Sequence, residues 1–372
     1  MYIEALFRLL KEKGINSFYG VPDSLLKDFN SHIDSQKHCT NVITANEGNA
    51  IGFAIGSYLA TEEISCVYLQ NSGLGNAVNP LLSLADEQVM GIPMLMIIGW
   101  RGHPDEVDEP QHKKQGAITE NLLKIMGIDY LIIDDANLEY TKDIECLIDN
   151  MRESHRPSAV LVKKGCLTLD KPDVSKKSSP IKKEREACIE RILEVFGDSS
   201  IYFATTGYPS RELYEIIQRN KLSKKILSFY CVGGMGHVSS IAAGFSSKNN
   251  MSVVCLDGDG SLLMHMGSLG VISSLNLSNF THIVFNNGCH ESVGGQPTVA
   301  KNLNLSKIAL DCGYDSSKRF NSCETFLTDY NFKSPSKTSF IEIVINKGTK
   351  DDLLRPKEKP KSNINYLLKK LH

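Results

Sequence analysis

Apolar and polar positions along the first half of the chain follow two alternating periodicities. Residues 2–13 place apolar side chains at helical spacing and end at Gly14, which predicts an amphipathic helix. Short apolar runs typical of buried strands follow, separated by segments with helical spacing such as 48–60. The predicted strands are 16–20, 41–45, 65–70, 92–98, 129–133 and 158–163. This alternation predicts a doubly wound, parallel α/β sheet.

The pattern lapses between residues 166 and 185 and then starts again. The interrupted segment is rich in Lys, Ser and Pro and poor in apolar residues, as is typical of an exposed linker. Beyond it, the predicted strands are 201–205, 225–230, 251–256, 281–285 and 339–345, and the predicted helices are 186–196, 209–219, 237–247 and 264–276. We therefore predict two α/β domains, 1–165 and 186–372, joined by linker 166–185 and without a middle domain.

Composition narrows the class of protein without indicating a function. The chain has 372 residues and a formal net charge of -2, which gives no electrostatic argument for binding nucleic acid or an acidic membrane surface. Its ten cysteines form no C-x-x-C pair, as expected of reduced thiols in the cytoplasm. The N-terminus is not a signal peptide, and the apolar run 89–100 is too short to span a bilayer. We therefore expect a cytoplasmic protein that binds neither nucleic acid nor a membrane.

Two loop motifs at the ends of predicted strands carry the first candidate chemistry. Gly258-Asp259-Gly260 follows strand 251–256, and Asn286-Asn287-Gly288 follows strand 281–285. Open α/β sheets bind ligands at the carboxyl ends of neighbouring parallel strands. An Asp oxygen, an Asn side-chain oxygen and a backbone carbonyl suit Mg²⁺ and leave room for two diphosphate oxygens. Each motif alone also fits an ordinary turn.

Three further segments offer polar groups beside apolar elements. Glu47 follows a strand and opens an apolar helix, either as a catalytic carboxylate or as a first-turn Glu stabilised by the helix dipole. The turn CVGGMGHVSSIAAG (231–244) opens another helix, so its backbone N–H groups would face an anion, with an ordinary βα turn as the alternative. Residues 205–207 offer donors to the same anion, or a helix N-cap.

Four segments together resemble the thiamin diphosphate (ThDP)-dependent 2-oxo acid decarboxylases. They are ITANEGNAIGFAIG (43–56), GGMGH (233–237), LDGDGSLLMHMGSL (256–269) and FNNGCHESVGGQPT (285–298). The resemblance covers nearly the whole chain. Because only a linker separates the two predicted domains, it favours the branch of phosphonopyruvate and sulfopyruvate decarboxylases. It implies the ThDP-binding fold, with a pyrimidine-binding domain at 1–165 and a diphosphate-binding domain at 186–372.

The resemblance implies a role for each matching residue. Glu47 would activate the cofactor at its aminopyrimidine ring, and Met235 would keep the cofactor bent. Mg²⁺ would be bound by Asp259, Asn287 and the carbonyl of Cys289. Further ThDP-binding residues would be Thr206, Gly207, Gly234, Gly236, His237, Gly258, Gly260 and Ser261. The resemblance also implies a homodimer or a dimer of dimers with shared active sites.

Two segments are candidates for contact with the substrate. In 290–298, where glycines allow a mobile lid, His290 and Glu291 are candidate proton donors, and Ser292 and Gln296 are candidate substrate ligands. A solvated loop is the alternative. The segment 99–116 contains the cationic candidates Arg101, His103 and His112. Acidic residues in the same segment make a solvated charge cluster the alternative there.

The activity implied by the resemblance is the Mg²⁺- and ThDP-dependent decarboxylation of 3-phosphonopyruvate to phosphonoacetaldehyde and carbon dioxide, in 2-aminoethylphosphonate biosynthesis. Sulfopyruvate decarboxylase is the alternative within the same class. Two further alternatives are a ThDP-dependent carboligase that joins two oxo acids and a non-catalytic phosphate- or nucleotide-binding α/β protein.

Overall fold

The computed structural model describes residues 1–170, 183–329, 337–350 and 352–371, which form two units. Of these residues, the first unit comprises 1–170 and Val293–Gln296, and the second comprises 183–292 and those that follow Gln296. Residues 171–182 of the predicted linker lie outside the described part of the chain, so the predicted domain boundaries stay predictions.

The described ends of the predicted linker segment differ from an exposed linker. Cys166 and Leu167 are buried in a core of the first unit because their side chains are apolar. Arg185 is buried in the first turn of a helix of the second unit, where acidic side chains pair with it.

A six-stranded sheet forms the centre of the first unit. Its strands are β1 (Ser17–Gly20), β2 (Thr40–Ile43), β3 (Ser65–Gln70), β4 (Met94–Gly99), β5 (Asp129–Ile133) and β6 (Ser158–Val162). The helices of this unit are α1 (Ile3–Glu12), α2 (Lys27–Ser35), α3 (Glu47–Thr61), α4 (Leu74–Pro80), α5 (Pro110–Ile125) and α6 (Thr141–Ser154). All neighbouring strands are parallel, in the order β2-β1-β3-β4-β6-β5.

Both faces of this sheet are buried, which explains why its central strands are continuous apolar runs. On β3, Cys66 and Tyr68 pack into a core with α1, α2 and α6. Val67 and Leu69 pack into the opposite core with α3, α4 and α5. The four residues 66–69 therefore contribute apolar area to the two cores in alternation.

A second six-stranded sheet forms the centre of the second unit. The strands that follow in the chain are β7 (Ser200–Ala204), β8 (Leu227–Tyr230), β9 (Ser252–Gly258), β10 (Phe280–Asn286), β11 (Cys289–His290), β12 (Gln296–Pro297), β13 (Ser316–Phe320) and β14 (Ser339–Val344). The helices are α7 (Glu184–Phe196), α8 (Tyr208–Arg219), α9 (Val238–Ser246), α10 (Asp259–Met264), α11 (Ser268–Ser274), α12 (Leu305–Asp311), α13 (Cys323–Thr328) and α14 (Pro360–Leu371). The large sheet is parallel, in the order β13-β14-β10-β9-β7-β8.

The two large sheets have the same strand order. When the six strands of each sheet are numbered along the chain, both sheets read 2-1-3-4-6-5. The order reverses between β1 and β3 in the first unit and between β7 and β9 in the second. Ligands of doubly wound sheets bind beside such reversals, at the carboxyl ends of the strands. Each unit therefore offers one place for a ligand.

The predicted fold class, two doubly wound parallel-sheet α/β domains, is confirmed. No middle domain occurs in the described residues, and none of their helices is long and apolar enough to cross a membrane. Some details of the second unit differ from the prediction. The predicted helix 264–276 is instead α10 and α11, which are separated by 265–267. The strand β13 was not predicted, because its sequence SSKRF is polar.

Candidate active site

Asp259 is a buried carboxylate at the carboxyl end of β9, in the first turn of α10. Its side chain accepts a hydrogen bond from the Thr298 hydroxyl, and backbone hydrogen bonds from Gly260 and Gly288 also reach it. Burial nevertheless raises the pKa of Asp259 to about 6. No lysine or arginine of the described chain forms an ion pair with this carboxylate. A cation bound here would therefore stabilise its charged form.

Asn287 follows β10, the strand next to β9. The two strands are parallel with Phe285 opposite Gly258, so the two predicted ligand loops are neighbours, as expected. Asn287 Oδ1 accepts a hydrogen bond from the Cys289 N–H at 3.1 Å. Burial raises the pKa of the Cys289 thiol to about 12, and because Mg²⁺ prefers oxygen ligands, the backbone carbonyl of Cys289 is its candidate donor.

The available donor atoms fit Mg²⁺ better than a soft metal. Within the described ranges, no group of three or more His, Cys, Asp and Glu side chains is placed to bind a metal. Asp259, Asn287 and a backbone carbonyl supply only oxygen ligands, which Mg²⁺ prefers, and leave positions for phosphate oxygens. The buried and uncompensated charge of Asp259 supports the same assignment.

The Ser261 hydroxyl connects three loops at this end of the second sheet. It lies 2.9 Å from the Thr205 hydroxyl, after β7, and accepts a hydrogen bond from the Gly236 N–H at 3.1 Å, in the loop after β8. Thr206 donates to the Val232 carbonyl. The turns are made by glycines in a left-handed conformation, namely Gly207, Gly234 and Gly236. The predicted anion-binding residues thus lie on adjacent loops around Ser261.

Gly260 lies where Met235 and His290 converge. A Cβ atom on Gly260 would lie 2.9 Å from the His290 ring and 3.4 Å from Met235 Cε, so only glycine fits without a shift. Burial lowers the pKa of His290 to about 4, which leaves its ring neutral at neutral pH. His237 donates through Nδ1 to the Gly234 carbonyl at 3.1 Å and closes the glycine-rich turn.

The remaining candidates of segment 290–298 have different environments. Glu291 forms an ion pair with Arg185 at 3.1 Å. Ser292 is exposed, and its Oγ would lie 3.6 Å from a Cβ added to Gly207. Gln296 is buried, and its Oε1 accepts no hydrogen bond from the described residues. Ser292 and Gln296 therefore retain polar atoms for a ligand, whereas the Glu291 carboxylate is already paired.

In the first unit, Glu47 begins α3 and is 5% exposed. Asn76 Nδ2 donates to its Oε2 at 2.7 Å. Burial raises the pKa of Glu47. The carboxylate lies against Gly73, where an added Cβ would be only 2.3 Å from Glu47 Oε1. Asn46, rather than Glu47, caps the helix by accepting from the Asn49 N–H.

Arg101, His103 and His112 belong to one region of the first unit, after β4. The guanidinium of Arg101 pairs with Asp108 and donates to the Ser24 hydroxyl at 3.1 Å. The His103 ring packs edge-on against Trp100, with the ring centroids 4.5 Å apart. His112 lies in α5, whose backbone packs closely against Gly102. Arg101 is therefore not an unpaired cation.

Asp23 is a residue that the sequence analysis missed. It follows β1 beside the strand-order reversal, is 1% exposed, and accepts a hydrogen bond from the Leu25 N–H at 3.0 Å through Oδ2. Its Oδ1 has no partner in the part of the chain that the structure describes. Burial raises the pKa of Asp23 to about 6, although the Arg101 charge opposes this. The position of Asp23 shortly after the predicted strand 16–20 was the signal by which the sequence could have identified it.

Both halves of the chain match families of known proteins. Residues 2–124 match the family "Thiamine pyrophosphate enzyme, N-terminal TPP binding domain". Residues 205–324 match "Thiamine pyrophosphate enzyme, C-terminal TPP binding domain".

Three relatives match nearly the full length of the chain. A phosphonopyruvate decarboxylase from Streptomyces viridochromogenes is 31% identical, and the match covers 93% of this chain and 89% of the relative. A phosphonopyruvate decarboxylase from Streptomyces hygroscopicus is 30% identical, over 93% and 88%. A sulfopyruvate decarboxylase from Methanosarcina acetivorans is 28% identical, over 93% and 91%.

Proposed function

The chain belongs to the ThDP-dependent decarboxylases, in the phosphonopyruvate decarboxylase family, and from this premise we propose that its own substrate is 3-phosphonopyruvate. The products would be phosphonoacetaldehyde and carbon dioxide. The observation that carries this proposal is the similarity to two phosphonopyruvate decarboxylases over 93% of the chain. The proposed setting is 2-aminoethylphosphonate biosynthesis in the cytoplasm.

We propose that the loops of the second unit bind the diphosphate and Mg²⁺. Asp259, Asn287 and the Cys289 carbonyl would be the metal ligands, because they supply hard oxygen donors around an uncompensated buried charge. The diphosphate would be bound by Thr206, Gly207, Gly234, Gly236, His237, Gly258, Gly260 and Ser261, which lie on or beside the loops around Ser261. Met235, beside Gly260, would support the rings of the cofactor.

Glu47 is the proposed activating carboxylate of the first unit. When bound, ThDP supplies the electron sink for the electron pair left by departing carbon dioxide. Glu47 would hydrogen-bond the aminopyrimidine ring nitrogen. Its burial excludes competing water, and its raised pKa favours a proton shared with that nitrogen. Asn76 and Gly73 fix the position of the carboxylate for this contact.

Proton donation to the product is proposed for a group other than Glu47. His290 and Glu291 are the predicted candidates, and Asp23 is a third one that the structure adds. Asp23 is supported by its unpartnered Oδ1 and by a pKa of about 6, which is suitable for proton transfer near neutral pH. For the phosphonate we propose Arg101, His103, His112, Ser292 and Gln296.

Sulfopyruvate is the second candidate substrate. The similarity to a sulfopyruvate decarboxylase over 93% of this chain favours it over other oxo acids. Both acids have an anionic headgroup, so the same donors would recognise either one.

Measuring kcat/KM for phosphonopyruvate, sulfopyruvate and pyruvate tests the proposed substrate. We expect the kcat/KM for phosphonopyruvate to exceed that for pyruvate by about 10⁴-fold, since pyruvate lacks the anionic headgroup that the proposed donors would bind. Sulfopyruvate should rank between them. Equal values for pyruvate and phosphonopyruvate would reject an anion-specific site, and sulfopyruvate in first place would make it the substrate.

We further propose a homodimer or a dimer of dimers with shared active sites. The two units of each chain carry different parts of the proposed site, with Glu47 on the first and Asp259 on the second. Family membership supports the pairing of these parts across subunits.

A further inference from the structure

A buried arginine in the first turn of α7 connects to the proposed metal site. Arg185 is 4% exposed. Its Nε and Nη2 donate to the two carboxylate oxygens of Glu212 at 2.8 and 3.0 Å, and its Nη1 donates to Glu291 Oε2 at 3.1 Å. The guanidinium also lies over the Tyr208 ring, 5.3 Å from its centroid. One guanidinium therefore fixes the positions of two carboxylates.

Glu291, whose position Arg185 fixes, also forms a hydrogen bond with Asn287. Its Oε2 accepts a hydrogen bond from Asn287 Nδ2 at 3.0 Å, and its Oε1 accepts one from the Gly348 N–H. Because the amide nitrogen of Asn287 points to Glu291, the amide oxygen must face the opposite way, where the Cys289 N–H also donates to it. Without Glu291, a rotated amide would present its NH₂ group in place of the oxygen, and NH₂ is not a metal ligand.

Asn286, the residue before Asn287, is also oriented by a carboxylate, that of Glu342 on β14. Asn286 Nδ2 donates to Glu342 Oε1 at 2.8 Å, and Asn286 Oδ1 accepts from the Gly288 N–H at 3.2 Å. Glu342 is fully buried on β14. Each amide of the Asn286–Asn287 pair thus has its NH₂ group bound by a carboxylate from outside the turn.

We propose that Arg185 and Glu291 are positioning residues that orient the Asn287 amide so that its oxygen faces Mg²⁺. This inference rests on the proposed metal site and gives Glu291 a role other than proton donation. A buried ion pair is a poor source of stability. Groups that orient metal ligands, by contrast, change metal affinity by about 10- to 100-fold when they are removed.

The test is the Mg²⁺ concentration that half-saturates ThDP binding by the full-length protein, measured by calorimetry. Glu291→Ala should raise it by about 10- to 100-fold. Glu291→Gln keeps one acceptor oxygen for Asn287 and should raise this Mg²⁺ concentration less. Arg185→Lys should also raise it, because an ammonium cannot form the fork that pairs with Glu212 and Glu291 together.

Arg219→Met is the matched control. Arg219 is the last residue of α8 and pairs with Glu186 and Glu190 of α7, the helix that also contains Arg185. It is not part of the proposed site. Its loss should leave the Mg²⁺ dependence unchanged. The melting temperature of each variant with EDTA reports folding without metal. If Glu291→Ala does not fold, Arg185→Lys decides, and a wild-type Mg²⁺ dependence of that variant overturns the inference.

Two further outcomes separate the possible failures. If both Glu291 variants lose turnover equally while their Mg²⁺ dependence stays that of the wild type, Glu291 is a proton donor and the positioning role is rejected. If the wild-type protein binds ThDP without Mg²⁺, or Asp259→Ala keeps normal Mg²⁺ dependence, the proposed metal site fails and the inference fails with it.

Discussion

At the scale of single residues, buried carboxylates mark the candidate site. Asp23, Glu47 and Asp259 are at most 5% exposed, and burial raises the pKa of each. A buried ionisable group without a compensating charge lowers stability. Perturbed carboxylates at strand ends are therefore better explained by function than by folding.

Asp23→Asn should stabilise the cofactor-free protein, but only at higher pH. The pKa of Asp23 in the folded protein, about 6, lies above its usual value of 3.8. Its contribution to stability is therefore complete at low pH and is lost as the pH rises through 6. Removing the charge should raise the free energy of unfolding at about pH 8 by an amount on the order of 3 kcal/mol, and hardly change it at about pH 4.

Urea unfolding at both pH values measures this effect. Asp129→Asn is the control, because Asp129 is exposed, and it should give no pH-dependent gain. An equal change at both pH values for Asp23→Asn would contradict the burial of a charge at this position. If Asp23 transfers a proton, the same variant should also lose turnover.

Sequence alone could identify some of these residues and not others. Asp259, Asn287 and Glu47 stand in motifs whose neighbours determine the local structure, so their placement at element ends was predictable. Asp23 and Arg185 gain their properties from residues far away in the chain. The carboxylate of Asp23 packs directly against Gly99. In the sequence Arg185 belongs to a polar segment, and only the fold places Glu212 and Glu291 next to it.

At the scale of elements, strands were easier to predict than the ends of helices. Strands buried on both faces are apolar throughout, so β3, β4 and β9 are visible as runs. The edge strand β13 is half-exposed and polar, and it forms a strand because it pairs with β14. The break between α10 and α11 falls at His265, Met266 and Gly267, where the polar histidine and the glycine were the available signals.

The turn between β3 and α4 gives a prediction at this scale. Gly73→Ala would place a Cβ 2.3 Å from Glu47 Oε1 and should displace the carboxylate. It should therefore slow exchange of the ThDP thiazolium proton, because the displaced carboxylate no longer reaches the aminopyrimidine. Glu47→Gln should slow the same exchange, because the amide keeps the shape of the side chain and loses its charge. Proton exchange followed by NMR in deuterated solvent measures both variants.

Gly75→Ala is the matched control in the same element. A Cβ at Gly75 in α4 meets no atom of the described chain within 4 Å, so exchange should keep the wild-type rate. The helix should gain about 0.5–1 kcal/mol from the replaced glycine. Wild-type exchange in Gly73→Ala would show that Glu47 does not depend on this turn, and wild-type exchange in Glu47→Gln would remove its activating role.

At the scale of the whole molecule, one chain contains the same sheet topology twice. Both sheets read 2-1-3-4-6-5 and both have a strand-order reversal beside the first strand. The polar groups at the two reversals nevertheless differ. The first unit offers carboxylates that suit proton transfer, Asp23 and Glu47, and the second offers glycine-rich loops and oxygen ligands that suit a metal diphosphate. The proposed ThDP site uses both sets, so a single unit of either kind would be insufficient for the proposed activity.

Mixing inactive subunits tests whether the two sets meet across a subunit boundary. Glu47→Gln lacks the activating carboxylate, and Asp259→Ala lacks a metal ligand, so each homo-oligomer should be inactive. In a mixed dimer with shared sites, one site carries both substitutions and the other carries neither. Co-refolding the two variants in equal amounts should therefore restore activity to about a quarter of the wild-type value, because half of the molecules are mixed and each has one intact site. Differently tagged subunits, purified as mixed dimers, should reach about half of the wild-type value. Inactive mixed dimers would instead place each complete site within one subunit.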